Sequence, residues 1–146
     1  MRQSNYSNQI IVAASPKRVY QALTRDLGVW WGNSNEGVTE EGDTLVIGFE
    51  ENPHQWTFEA VELIEGKRVV YECVESKHRP EGFPGVIQKE WQGTKLIWQI
   101  SESDAGTFIN FTHDGLTPEL ECYDVCQTGW NDYFGESLSE HLRLTP

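Results

Sequence analysis

The sequence predicts an α+β fold: two short helices after the first strand, then a curved antiparallel sheet of about six strands wrapped around a long C-terminal helix. Three observations predict it. Between Thr44 and His113 the apolar residues recur with a period of two, in runs separated by short turn signals. From Glu121 to Arg143 the period becomes three or four, as on a helix. A curved sheet with one apolar face must wrap something, and only this last element is long enough. At 1.5 Å per residue it spans roughly 35 Å.

The elements follow in order. Gln9–Ala14 reads as a strand. Ser15 is placed as an N-cap, with Pro16 at the first helical position and Val19, Tyr20 and Leu23 as the buried stripe of a helix over Lys17–Thr24. Asp26 is placed to cap a second short helix, Leu27–Trp31, which Gly32 ends. Adjacent helical residues point about 100° apart, so Trp30 and Trp31 are not expected to face the core equally. One packs under the sheet and the other, taken as Trp31, sits at a cavity mouth.

The strands alternate: Leu45, Ile47 and Phe49, then Trp56, Phe58 and Ala60. Val61 and Leu63 fall out of phase, so a bulge or bend is expected at Ala60-Val61. Val69, Tyr71 and Cys73, then Leu96, Trp98 and Ile100, then Ile109, Phe111 and His113 continue the pattern. Turns at Asn52-Pro53, Glu65-Gly66 and Asp104–Gly106 are short enough for an antiparallel meander. Lys77–Gly93, with Pro80, Gly82, Pro84 and Gly85, reads as a mobile loop with Trp91 opening the next strand. On the terminal helix Tyr123, Cys126, Trp130, Tyr133, Ser137 and His141 share one face. Gly129 beside that face is expected to let the sheet or a ligand approach closely, while Gly135 points away.

Composition bounds the function. A chain of 146 residues suits one domain, 1–146, whose core needs neither metal nor disulfide staple. A net charge of -12 with a pI near 4.6 counts against nucleic-acid and anionic-membrane partners. With no apolar run of about 18 residues and no signal-peptide pattern, the cytoplasm is the expected location. Cys73, Cys122 and Cys126 are then reduced thiols. Cys122 and Cys126 lie four apart, but His141 is too far along the helix to join them, so no metal site is expected and no cofactor is implied.

The residues that can line a site are aromatic. Trp56, Phe58, Tyr71, Trp98 and Phe111, with His113, form the concave lining, and Cys126, Trp130, Tyr133 and Phe134 face them from the helix. The same rings suit a filled interior as well as an open pocket. His113 and Asp114 do not make a catalytic pair, because neighbouring strand residues point to opposite faces. No Ser–His–Asp or Cys–His arrangement is supported by spacing, so no catalytic residue is assigned. Glu50, Glu51 and Glu59 read as solvated positions, and His54 and His78 as exposed.

Ser15-Pro-Lys-Arg-Val-Tyr-Gln-Ala-Leu-Thr24, Leu27-Gly-Val-Trp-Trp-Gly32, Lys89-Glu-Trp-Gln-Gly93, Asn110-Phe-Thr-His-Asp-Gly-Leu116 and Gly129-Trp130 occur here in an order and spacing that span nearly the whole chain. In these the sequence resembles the START-like (SRPBCC, birch-pollen-allergen-like) superfamily, in the branch related to the C-terminal domain of the heat-shock ATPase activator. The resemblance implies a helix-grip fold with a cavity between sheet and terminal helix. It implies no shared catalytic set, since such proteins include lipid and hormone carriers, polyketide cyclases and chaperone-activating domains. The leading expectation is a binder of a small apolar or aromatic ligand. The alternatives are a cyclase- or hydrolase-like enzyme using His113, Tyr71 or Tyr133, or a domain that binds a chaperone partner. Homodimerisation through an exposed strand edge or the Lys77–Gly93 loop also stays open.

Overall fold

The computed structural model describes residues 5–31, 33–34, 37–49, 52–76, 92–118 and 123–144. Its first strand, β1 (Tyr6–Val12), starts earlier than Gln9 and stops before Ala14. Polar Ser7, Asn8 and Gln9 disguise it: Ser7, Gln9 and Ile11 are exposed, while Tyr6 and Val12 turn inward. Ser15 does cap α1 (Pro16–Thr24), its Oγ accepting from Arg18 N at 3.1 Å. Asp26 precedes α2 (Leu27–Trp30) but makes no capping bond. Its carboxylate instead accepts from Arg18 at 2.7 Å, tying the two short helices together.

After the two-residue β2 (Asn33–Ser34) come β3 (Thr44–Phe49), β4 (Asn52–Ile64), β5 (Arg68–Ser76), β6 (Lys95–Ser103) and β7 (Gly106–Asp114). The sheet order is β1-β7-β6-β5-β4-β3-β2, all antiparallel neighbours. This is a meander whose last strand returns beside the first. The β4–β5 register shifts between Ala60 and Glu62, at the expected bulge, and again between Thr57 and Phe58. Asn52 and Pro53 belong to β4 rather than to a turn. Among the described residues the pairing of β4 with β5 runs from Trp56↔Ser76 to Ile64↔Arg68. At the β6–β7 turn Gly106 has φ 134°, and any Cβ there would run into the Val12 carbonyl oxygen, so the turn closes against β1 only with glycine.

The terminal helix has three parts: α3 (Tyr123–Trp130), a π-helical segment (Asn131–Leu138) and α4 (Ser139–Leu144). This changes the face it buries. Cys126, Trp130, Phe134, Leu138 and Leu142 point into the core, four residues apart throughout. In a uniform α-helix each four-residue step overshoots a full turn by about 40°. In the π segment a turn takes more than four residues, so the same step falls short and the drift is taken back. The stripe read from the sequence is therefore corrected by one position: Tyr133, Ser137 and His141 lie half-buried on its flank. Gly129 is also corrected, since a Cβ there meets nothing within 4 Å. Gly135 is the close approach, where a Cβ would sit 3.4 Å from Asn8 Nδ2 of β1.

Lys77–Trp91, Gly32, Glu50, Glu51 and Cys122 lie outside the described residues, and so do the side chain of His54 and all of His78.

Candidate functional site

The inward positions of four strands and the terminal helix meet in one aromatic cluster. Because side chains alternate along a strand, Phe58, Tyr71, Trp98 and Phe111 stand on one sheet face, each fully buried. Trp98 is paired across the ladder with Phe111, and their rings stack at 4.7 Å and 20°. From the helix, Trp130 packs on Phe111 at 4.6 Å and on Trp31 at 4.9 Å, and Phe134 packs on Phe111 at 5.2 Å. Trp31 reaches Phe58 at 5.7 Å, and Tyr71 meets Trp98 edge-on at 5.8 Å. Each such pair adds about 0.5–1.5 kcal/mol beyond its burial. Trp56 and Cys126 are buried at the margins, and Tyr133 is partly buried against the cluster.

Trp30 and Trp31 are both buried, at 2% and 4% exposure, and stack on each other at 6.0 Å. The expectation that only one could turn inward assumed continuing helix. In fact α2 is a single turn ending at Trp30, with Trp31 as its C-cap bonding the Leu27 carbonyl, and the Trp31 ring packs inward on Phe58 and Trp130. Trp30 Nε1 donates to the Ala22 carbonyl at 2.7 Å.

The polar atoms of His113, Trp130 and Tyr71 inside the cluster are engaged. His113 is fully buried between Trp130 and Thr94. The Trp130 indole N–H, which only donates, bonds His113 Nδ1 at 3.0 Å. The ring proton of the neutral imidazole therefore sits on Nε2, which donates to Thr94 Oγ1 at 2.9 Å. Burial penalises the imidazolium and lowers the His113 pKa to about 3. Tyr71 Oη donates to the Leu23 carbonyl at 2.7 Å, and its pKa is pushed up by burial first and then by the nearby Tyr20. The Tyr133 pKa is raised by partial burial and then by Asp132. Acid–base work at neutral pH needs a group that gains and loses a proton there. His113 and Tyr71 are held in their neutral forms and occupied by structural bonds. Thr94 was not legible as a site residue, because a lone threonine before a strand carries no pattern.

The half-buried polar flank of the helix also has structural partners. Ser137 Oγ donates to the Trp30 carbonyl at 2.6 Å, and Arg18 bonds His141 Nε2 at 3.0 Å beside Asp26. Tyr6 Oη donates to Asn131 Oδ1 at 2.7 Å, fastening β1 to the π segment. Among the described residues no three His, Cys, Asp or Glu side chains converge as a metal site requires, and no helix is long and apolar enough to cross a membrane. A surface pocket of about 560 Å³ lined by Tyr20, Thr39, Glu40, Glu41, Leu63 and Glu65 includes none of the aromatic cluster.

A sheet gripping a helix through aromatic rings is the helix-grip architecture, and residues 13–143 match the family model of activator of Hsp90 ATPase homolog 1-like proteins. The chain belongs to this family. The AHSA1 domain is similar to the solution structure of the Aha1 dimer from Colwellia psychrerythraea, with 28% identity, 97% of both chains covered and a TM-score of 0.75. It shares its fold with a crystal structure from Mesorhizobium loti at 16% identity, covering 98% of this chain and 99% of that one, TM-score 0.78. A Chromobacterium violaceum structure shares the fold at 17% identity, covering 95% and 98%, TM-score 0.72. Among curated proteins, none matches the AHSA1 chain in sequence.

Proposed function

We propose that this AHSA1-family domain is a binding module that takes a small apolar or aromatic molecule between the sheet and the terminal helix. The observation that carries the reading is the eight-residue π segment lying across the aromatic sheet face. Wide helical turns are rare and are frequently found at functional sites. Trp31, Phe58, Trp98, Phe111, Trp130 and Phe134 supply the apolar lining such pockets have. In the free chain these rings rest on one another, so an incoming molecule exchanges ring-on-ring contact for contact with itself as the helix yields. The cytoplasm is its compartment in this reading, where the buried thiols Cys73 and Cys126 stay reduced. Titration of intrinsic tryptophan fluorescence with a panel of hydrophobic molecules is expected to give a saturable change. A flat response to the whole panel refutes the proposal.

A second reading concerns assembly. The Colwellia psychrerythraea relative is described as a dimer, and its resemblance runs the full length of both chains. We infer that this chain also self-associates as a closed pair. Light scattering coupled to gel filtration at micromolar concentration is expected to give twice the chain mass of 16.7 kDa. A monomer mass at every concentration refutes it.

A further inference from the structure

At the centre of the cluster stands an indole N–H that is not engaged. Trp98 is fully buried at the centre of β6, and its Nε1–H has no hydrogen-bond partner among the described residues. This contrasts with Trp30 and Trp130, whose indole N–H groups each meet an acceptor at 3.0 Å or less. The Trp98 ring is flanked edge-on by Tyr71 and Trp130 and stacked on Phe111. Ring faces are weaker acceptors than an oxygen lone pair. A buried donor left without an acceptor is destabilising, and native interiors keep few of them.

The surroundings restrict what can approach it. The buried polar side chains among the described residues are Thr24, Thr94, Thr107 and His113, and none carries a charge at neutral pH. Thr24 Oγ1 and Thr107 Oγ1 donate to the backbone carbonyls of Tyr20 and Ala14. Thr94 and His113 hold each other. A carboxylate or phosphate brought here would be desolvated with no cation among the described buried side chains to meet it. A neutral oxygen needs only the one donor.

We propose that Trp98 selects the ligand: the site takes a neutral, largely apolar molecule bearing a carbonyl or ether oxygen, which accepts from Trp98 Nε1. This inference rests on the reading of the sheet–helix interior as a binding site. The matched probes are 2-acetylnaphthalene and 2-ethylnaphthalene, alike in shape except that a carbonyl oxygen replaces two hydrogens. Calorimetric titration of the native chain and of Trp98→Phe measures the preference for ketone over hydrocarbon in each. The native preference is expected to exceed that of the variant by about tenfold. Binding of both probes with the same preference in both chains overturns the role of Trp98 and leaves the binding module standing. Binding of neither probe to the native chain overturns the inference together with the reading beneath it.

A spectroscopic arm keeps the proposal testable if Trp98→Phe does not fold. In the native chain the indole ¹H–¹⁵N signal of Trp98 is expected to move downfield with the ketone and not with the hydrocarbon. A signal that responds equally to both, or that exchanges magnetisation with an internal water and ignores both probes, overturns the proposal.

Discussion

Trp130→Ala is expected to leave the domain largely unfolded at room temperature, whereas Trp130→Phe is expected to fold with reduced stability. Alanine removes the ring that touches Trp31, Trp98, Phe111 and His113 at once. Truncating a buried tryptophan to alanine costs about 3–5 kcal/mol. It also strips His113 Nδ1 of the indole N–H, a loss of about 1–3 kcal/mol for a buried acceptor. Set against the 5–15 kcal/mol typical of a whole domain, the sum of roughly 4–8 kcal/mol is decisive. Phenylalanine keeps most of the ring contact and loses the hydrogen bond, so its cost lies nearer the second figure. Urea unfolding followed by near-ultraviolet circular dichroism separates the two. Equal midpoints for the two variants, both of which lack the bond, would contradict the assigned weight of the ring contacts.

The second large effect is on pH. His113 titrates near 6.5 when unfolded and near 3 when folded, because burial disfavours its charged form. Below about pH 6.5 the unfolded chain therefore binds a proton that the folded chain refuses, and stability rises with pH across that window. The contribution is complete above the unfolded value and is lost progressively as pH falls towards 3. At about 1.4 kcal/mol per pH unit, the whole window is worth on the order of 4–5 kcal/mol. Asp43 enters only at lower pH, since the backbone N–H groups of Thr39 and Glu40 hold its carboxyl below the usual range. Between pH 6.5 and 4.5, thermal unfolding of the native chain is expected to weaken markedly. His113→Asn, which keeps an acceptor for Trp130, is expected to be less stable at pH 7 but flatter over the same interval. Parallel pH curves for the two chains would remove His113 as the cause.

The architecture was legible because its two periods are clean. Leu45 with Ile47, Trp98 with Ile100 and Phe111 with His113 alternate without interruption, and the phase slip at Val61 marked a real bulge. The strand aromatics were legible as inward for the same reason. What escaped was whatever depends on how a helix is wound or where it stops. Spacing of three and four is common to α and mixed windings, so Leu138 and Leu142 were passed over in favour of Ser137 and His141. Trp31 faces inward because α2 is a single turn long, and nothing in Val29-Trp30-Trp31 announces that the helix ends between the two rings. The Trp130–His113–Thr94 chain joins three elements distant in sequence, and no local pattern encodes it. Tyr133 was placed on the inner face and stands on its flank, where Phe134 takes the central position.

The π segment makes rotational phase a property that this chain must conserve. Cys126 near the start of the terminal helix and Leu142 near its end face the same core only because the wider, underwound turns between them cancel the drift of an ordinary helix. His141 meets Arg18 and Asp26 on the same condition. Two relatives whose helices differ by one residue in this stretch can therefore share the fold while presenting their last turns at different angles to α1. For such a pair, residue-by-residue equivalence ends at the π segment, although the backbone trace continues unbroken.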